Sequence, residues 1–219
     1  MKIHIFTFHG IGRPERELEP GEDEVWLEVD SFKSILDLLS QKEDVRITFD
    51  DGNLSDLNVA LPLLKERGLK GDFFVPVAML GQQGFLSASD VNNLREEGMR
   101  IGSHGMNHRA WRGLDDESLQ VETAGARKAL ESILGEPVYS AACPFGSYDR
   151  RVIEKLKEIG FREVFTSDGG ETTPGKFPMS RTTIRNDDTP ESIEKTLSIP
   201  YYHPKALVKR FKRRLKQWR

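Results

Sequence analysis

The sequence predicts an α/β fold, a (β/α) barrel of about seven parallel strands. Two observations predict it. Short runs rich in strand formers begin near residues 3, 45, 72, 99, 138, 163 and 181. Most of them are followed by a segment with helical spacing, an order that makes neighbouring strands parallel. Seven such units in one chain suggest a closed barrel rather than an open sheet.

The elements follow in order. IHIFTF (3–8) is a strand. ERELEPGEDEVWLEVD (15–30) holds eight acids and one arginine and is expected to be a solvated surface loop. Asp30 or Ser31 then caps a helix whose Phe32, Ile35, Leu36 and Leu39 share one face. VRITF (45–49) is the second strand. The helix near 55–67 starts at Ser55 and stops at Gly68, and Pro62 inside it implies a kink or a break. DFFVPV (72–77) and MRIGSH (99–104) are strands three and four, separated by a capped helix, SASDVNNLREEG, ending at Gly98. Residues 115–134 form the longest helix. VYSAACPFG (138–146) is a fifth strand running into a Pro-Phe-Gly turn. Asp149 caps the next helix and Gly160 ends it. EVFT (163–166) and RTTI (181–184) are strands six and seven, and Thr189-Pro190 opens a last short helix.

At 219 residues the chain is long enough to bury a core without staples. One cysteine excludes a disulfide framework, and the longest apolar runs are too short to span a bilayer. The first ten residues, MKIHIFTFHG, carry no sustained apolar run or small-residue cleavage site, so a cytoplasmic protein is expected. The formal charge of −3 conceals an asymmetry. Residues 205–219 hold eight Lys or Arg and no acid, which leaves −11 on residues 1–204. An acidic body excludes nucleic acid as the partner of the whole chain. The expected organisation is a barrel over 1–204 and a basic amphipathic helix over 205–219. Leu207, Phe211, Leu215 and Trp218 fall on one face of that helix. Such a helix either docks on the barrel or makes a peripheral contact with an anionic membrane, which here would be the inner membrane face.

The polar residues suited to chemistry all follow strands: His9 after the first, Asp50 and Asp51 after the second, His104 and His108 after the fourth, Pro144-Phe145-Gly146 after the fifth. In a parallel barrel these strand ends share one rim, where active sites are built. Two histidines four apart, on a helical turn, reach one metal ion. With one carboxylate they make a facial triad with open positions. The second carboxylate of the Asp pair is then free to act as a base.

TFDDG (48–52), SHGMNH (103–108) and CPFGSYD (143–149) resemble, in order and spacing, the first three motifs of the NodB-homology polysaccharide deacetylases, carbohydrate esterase family four. The resemblance covers about residues 1–200. It implies a distorted (β/α) barrel and metal-dependent removal of acetyl groups from sugars. It also implies Asp50 as general base and Asp51, His104 and His108 as metal ligands. The Pro144-Phe145-Gly146 turn becomes a substrate-binding groove wall whose Phe145 N–H steadies the oxyanion. The cofactor is one divalent metal ion, with zinc the default for two His and one Asp, and iron, cobalt or nickel also fitting. The partner is an N-acetylated sugar, glycan or glycan precursor, nucleotide- or lipid-linked.

The sequence departs from the family pattern in three places. Position 142 is Ala where an arginine often orients the base, and Arg181 is a candidate substitute. The Trp-bearing fourth motif has no clear match in FTSDGGETTPG. The C-terminal Leu-x-His is missing, and His203 in YYHPKAL is a poor replacement. FTFH (6–9) places a histidine at the end of an apolar strand as that motif does. First and last strands of a closed barrel are neighbours, so His9 is expected as general acid. This permuted arrangement resembles the poly-N-acetylglucosamine deacetylase branch. Trp26 and Trp111 either pack or stack on a sugar ring. Two rival readings remain: a carbohydrate-binding protein that has lost the chemistry, and a hydrolase of another non-peptide C–N bond.

Overall fold

The structure is a computed structural model that describes residues 2–198. Its strands are β1 (His4–Phe8), β2 (Val45–Phe49), β3 (Gly71–Val75), β4 (Arg100–Ser103), β5 (Ser140–Ala142), β6 (Glu163–Thr166), β7 (Met179–Ser180) and β8 (Thr182–Thr183). Every pairing is parallel, and the sheet order is β7-β6-β5-β4-β3-β2-β1-β8. The two edges of this order are consecutive in the chain. β7 pairs with β6 and β8 with β1, and Arg181 alone lies between them. Arg181 N–H donates to the Thr166 carbonyl and Ile184 N–H to that of Thr7. The expected seventh strand is therefore two short strands, which brings the count to eight, and the fold is a distorted, nearly closed (β/α) barrel.

The helices are α1 (Val29–Leu39), α2 (Leu61–Glu66), α3 (Ala88–Glu96), α4 (Asp116–Gln120), α5 (Ala126–Leu134), α6 (Arg150–Ile159) and α7 (Pro190–Leu197). Ser87 and Asp90 form a capping box on α3, Asp149 caps α6 and Thr189 caps α7, each through a side-chain oxygen that accepts a first-turn N–H. α1 begins earlier than expected, with Glu28 rather than Asp30 or Ser31 before it. Pro62 has the effect its missing N–H requires. Residues Asp56–Ala60 form a π-turn in which Leu61 N–H reaches back to the Asp56 carbonyl, and α2 starts behind it. A second π-turn, Val121–Gly125, joins α4 to α5 within the predicted long helix.

Alternation along the strands sorts the side chains into two compartments. Phe6, Phe8, Ile47, Phe49 and Phe73 join the core between sheet and helices, where Phe49 and Phe73 stack at 4.5 Å. Ile5, Phe74, Ala142, Phe165 and Met179 fill the barrel interior. Below this layer Arg46 bonds Asp72 and, bidentately, Glu163, and Arg100 also bonds Asp72. Above it come Thr48, Asp50, His104 and Arg181. The barrel is thus a short apolar plug with a charged layer at each end. Among the described residues no helix is long and apolar enough to cross a membrane. The expected amphipathic helix over 205–219 and His203 lie outside the described residues.

Candidate active site

Asp50 and Asp51 follow β2, and Asp51 takes a left-handed backbone, φ 74°. Asp51, His108 (φ 53°) and Phe145 (φ 56°) are the positive-φ non-glycine residues among those described, and all three meet in one place. Left-handed backbone is costly for such residues, on the order of 1–2 kcal/mol each. Its confinement to one cluster marks a place where side-chain direction outweighs backbone comfort.

One oxygen of Asp51 and one nitrogen each of His104 and His108 lie within 4.8 Å of one another. Asp51 Oδ1 is 3.4 Å from His104 Nε2 and 3.1 Å from His108 Nε2. His104 Nδ1 lies 2.9 Å from the Ala142 carbonyl oxygen, which can only accept, so Nδ1 carries a proton and Nε2 is the atom turned toward Asp51. The two histidines do not share a helical turn. Residues 104–108 are a loop, and the four-residue spacing works through backbone reversals at Gly105 and His108.

Asp50 lies beside this triad, its Oδ2 3.8 Å from His104 Nε2. Both its oxygens accept from Arg181, at 2.7 and 2.6 Å, and both side chains are buried. Burial alone would raise the Asp50 carboxyl. The charges of Arg181 and His104, the Arg181 hydrogen bonds and the charge of His9 outweigh it and hold the group below its ordinary range. Burial works against ionised Asp51 too, but hydrogen bonds from His104 and His108 and the charge of His9 keep it well below. His108 is pushed down by burial and up, more strongly, by Asp51, Asp50 and Glu19. Arg181, the candidate for the arginine absent at position 142, is thus the cation that pairs with Asp50.

A cavity of about 700 Å³ opens over these groups. His9 lines it beside Asp50, Asp51, His104 and His108, and Thr183 of the neighbouring β8 lines it too. Phe145 is 68% exposed and its ring lies 4.6 Å from that of His108. Pro144 and Gly146 are buried behind it, so Phe145 alone of that turn faces the cavity. The acidic stretch is not a free surface loop. Glu17, Glu19, Glu22 and Glu24 form one wall of the cavity, anchored where Arg16 grips Glu22 and Asn53 and where Arg185 meets Glu24. Charge patterning alone hid this, because acidic runs look alike whether they face bulk water or a cleft. Neither singled-out tryptophan is among the residues lining the cavity. Trp111 is fully buried, and Trp26 packs on Gly10 with its Nε1 donating to the Gly12 carbonyl.

The sequence profile of the polysaccharide deacetylase family matches residues 39–164, more than half of the chain. The chain belongs to the polysaccharide deacetylase family. Within the family, the chain is 29% identical over 153 residues to the peptidoglycan-N-acetylglucosamine deacetylase of Bacillus cereus, covering 69% of this chain and 65% of that protein. It is 31% identical over 123 residues to a chitin deacetylase of Pestalotiopsis sp, covering 54% of this chain and 39% of that one. The chain therefore spans less than two thirds of either relative. Among solved structures, the Streptococcus pyogenes deacetylase PplD in complex with acetate superposes with a TM-score of 0.80 at 20% identity, over 91% of this chain and 99% of that one. IcaB from Ammonifex degensii superposes with a TM-score of 0.76 at 20% identity, over 90% and 97%. At this identity the two structures establish the fold, and the profile establishes the family.

Proposed function

We propose that this polysaccharide deacetylase family member is a metal-dependent hydrolase that removes N-acetyl groups from a sugar or glycan. The observation that carries the reading is the Asp51–His104–His108 triad at the base of an open cavity, with a second carboxylate, Asp50, held beside it by Arg181. One carboxylate oxygen and two imidazole nitrogens, one with its tautomer fixed by a carbonyl, fit a divalent metal ion. Asp51, His104 and His108 would hold it. Zinc suits this set, as do iron, cobalt and nickel. When bound, the metal supplies polarisation of the acetyl carbonyl and a lowered pKa of water.

The chain's own residues do the rest. Asp50, ionised and oriented by Arg181, takes the proton from the attacking water. Water oxygen bonds to the carbonyl carbon, and the Phe145 N–H steadies the oxyanion that develops, a contribution of about 3 kcal/mol by analogy with other oxyanion holes. His9, just past the end of β1, the strand next to β8, gives a proton to the amine as the C–N bond breaks. Acetate and a free amino sugar leave. Phe145 and the acidic wall bound the space for the sugar.

The substrate range includes nucleotide- or lipid-linked glycan precursors, in a cytoplasmic setting with 205–219 in peripheral contact with an anionic membrane. Acetate release from chitin oligomers and from such precursors, measured with metal content, tests the reaction. Asp51→Ala and His104→Ala should lose metal and turnover together. Asp50→Asn should keep the metal and lose turnover. A native protein that binds no metal and releases no acetate, or an Asp50→Asn variant with near-native turnover, would sink the assignment. Co-sedimentation with anionic vesicles, with and without 205–219, tests the membrane contact, and equal partitioning would end it.

A further inference from the structure

The loop that carries both histidines has little regular structure to hold it. β4 ends at Ser103, and residues 104–111 form neither strand nor helix. The sheet contributes one bond at the start, from His104 N–H to the Val75 carbonyl. Beyond it the Gly105 and Met106 carbonyls accept from the N–H groups of Val77 and Ala78, at 3.1 and 2.8 Å. Gly105 N–H donates to Ser103 Oγ, and the next two amide hydrogens, those of Met106 and Asn107, converge on Glu122.

Glu122 is fully buried, with 0% of its surface accessible. Met106 N–H donates to Glu122 Oε2 at 3.1 Å. Asn107 N–H is shared between both carboxylate oxygens, 3.1 Å from each. The Asn107 side-chain amide donates to Oε1 at 2.8 Å. Consecutive backbone N–H groups curled around an anion make a nest, and here the anion is the protein's own carboxylate. Gly105, at φ 89°, passes so close that a Cβ there would lie 2.8 Å from Glu122 Oε2 and 3.3 Å from the Trp111 indole nitrogen. Glu122 reaches this point from the π-turn Val121–Gly125, whose extra residue offsets it from the regular helix on either side. Insertions of this kind recur where a helix serves a site.

We propose that Glu122 is a positioning residue for the metal ligands: its buried carboxylate is the template on which the 104–108 loop folds, and it sets the direction of His104 and His108. The proposal rests on the metal reading given above. Without this anion, the Met106 N–H, the Asn107 N–H and the Asn107 side-chain amide lose their acceptor. The loop would then have to relax, and the left-handed His108 is the residue with most to gain by relaxing. Residues that orient ligands in this way affect metal affinity by about 10- to 100-fold when altered.

Cobalt(II) is the probe, because its visible absorption reports ligand geometry independently of catalysis. The full chain is freed of metal and titrated with cobalt(II), against a chromophoric chelator for affinity. Glu122→Gln keeps the shape but turns one acceptor oxygen into a donor facing another donor. It should weaken cobalt(II) binding by about 10- to 100-fold and shift the absorption bands. Asn107→Ala, at an exposed side chain, removes only the Oε1 contact and should weaken binding a few-fold, which keeps the test alive if Glu122→Gln does not fold. Leu130→Ala, a core truncation on α5, is the control: it should lower thermal stability and leave affinity and spectrum unchanged. Native affinity and a native spectrum in both Glu122→Gln and Asn107→Ala would overturn the proposal, as would a matching loss in Leu130→Ala. A native protein that binds no cobalt(II) would overturn the metal reading itself, and the proposal with it.

Discussion

The Asp50–Arg181 pair should be worth several kilocalories, and its removal should be repaired by neutralising the partner. Arg181→Met deletes the guanidinium and leaves Asp50 ionisable inside the barrel mouth. The two side chains are 0% and 4% exposed, with two bonds of 2.7 and 2.6 Å between them. At a charge separation of about 4 Å and an effective dielectric of about 20, the lost attraction is about 4 kcal/mol. That agrees with the roughly 3–5 kcal/mol found when one partner of a buried pair is removed. In a domain of this size it amounts to about 10 °C in Tm. Arg181→Met/Asp50→Asn should recover most of the loss, since neither residue is then charged. The assay is urea unfolding of metal-free protein in a double-mutant cycle. The sign with pH follows from the depressed Asp50 carboxyl. The pair's contribution is present above the unfolded carboxylate pKa of about 4 and fades as pH falls through the lower folded value. If Arg181→Met cost the same with Asp50 and with Asn at position 50, or if the coupling survived acidification unchanged, the charge-pair account would be wrong.

Three further outcomes are expected. His9→Ala should cut turnover by about 10² to 10⁴ with metal stoichiometry unchanged; native turnover would remove His9 from the mechanism. Asp56 is buried near Asp50 and Asp51, and neither of its oxygens has a hydrogen-bond partner. Burial first, and then the charges of Asp51 and Asp50, push its carboxyl well above the ordinary range. Its ionisation therefore costs nothing in acid and increasingly more as pH rises above the unfolded carboxylate value of about 4, so the Tm advantage of metal-free Asp56→Asn over the native chain should grow with pH from there; a gain independent of pH would contradict this. Gly10→Ala would drive a Cβ into the Trp26 ring. It should cost about 1–3 kcal/mol by denaturant unfolding, and a neutral result would show that the acidic loop can lift off its seat.

What could be read in the sequence followed from local rules. Strand alternation, the Ser87, Asp149 and Thr189 caps and the strand-end position of Asp50, Asp51, His104 and His108 all depend on neighbours within a few residues. What could not be read depended on distant parts of the chain. Arg181 was visible as a candidate for the missing arginine, but nothing local shows that it divides one strand into two. Glu122 carries no signal in its own helix, because its partners arrive from a loop 15 and 16 residues upstream. The His-x-x-x-His spacing fits a helical turn, and only the backbone reversals around it show a loop instead. Trp111 is fully buried, so of the two readings its rim position left open, packing and sugar stacking, it packs.

The seam at Arg181 links the completion of the barrel to the pairing of Asp50. One residue carries the backbone from the β6 side to the β1 side, and the same residue's side chain holds Asp50. A nascent chain that has not yet passed residue 181 has neither. Its sheet is an open ribbon with β1 and β6 as bare edges, the state in which strands recruit foreign strands. Its Asp50 has no guanidinium to keep it charged and aimed. Synthesis and pairing are therefore ordered: the two Asp residues and the two histidines are made early, but Asp50 gains its cation only when the closing segment clicks into place. The step that hides the sheet's sticky edges is also the step that gives Asp50 its partner.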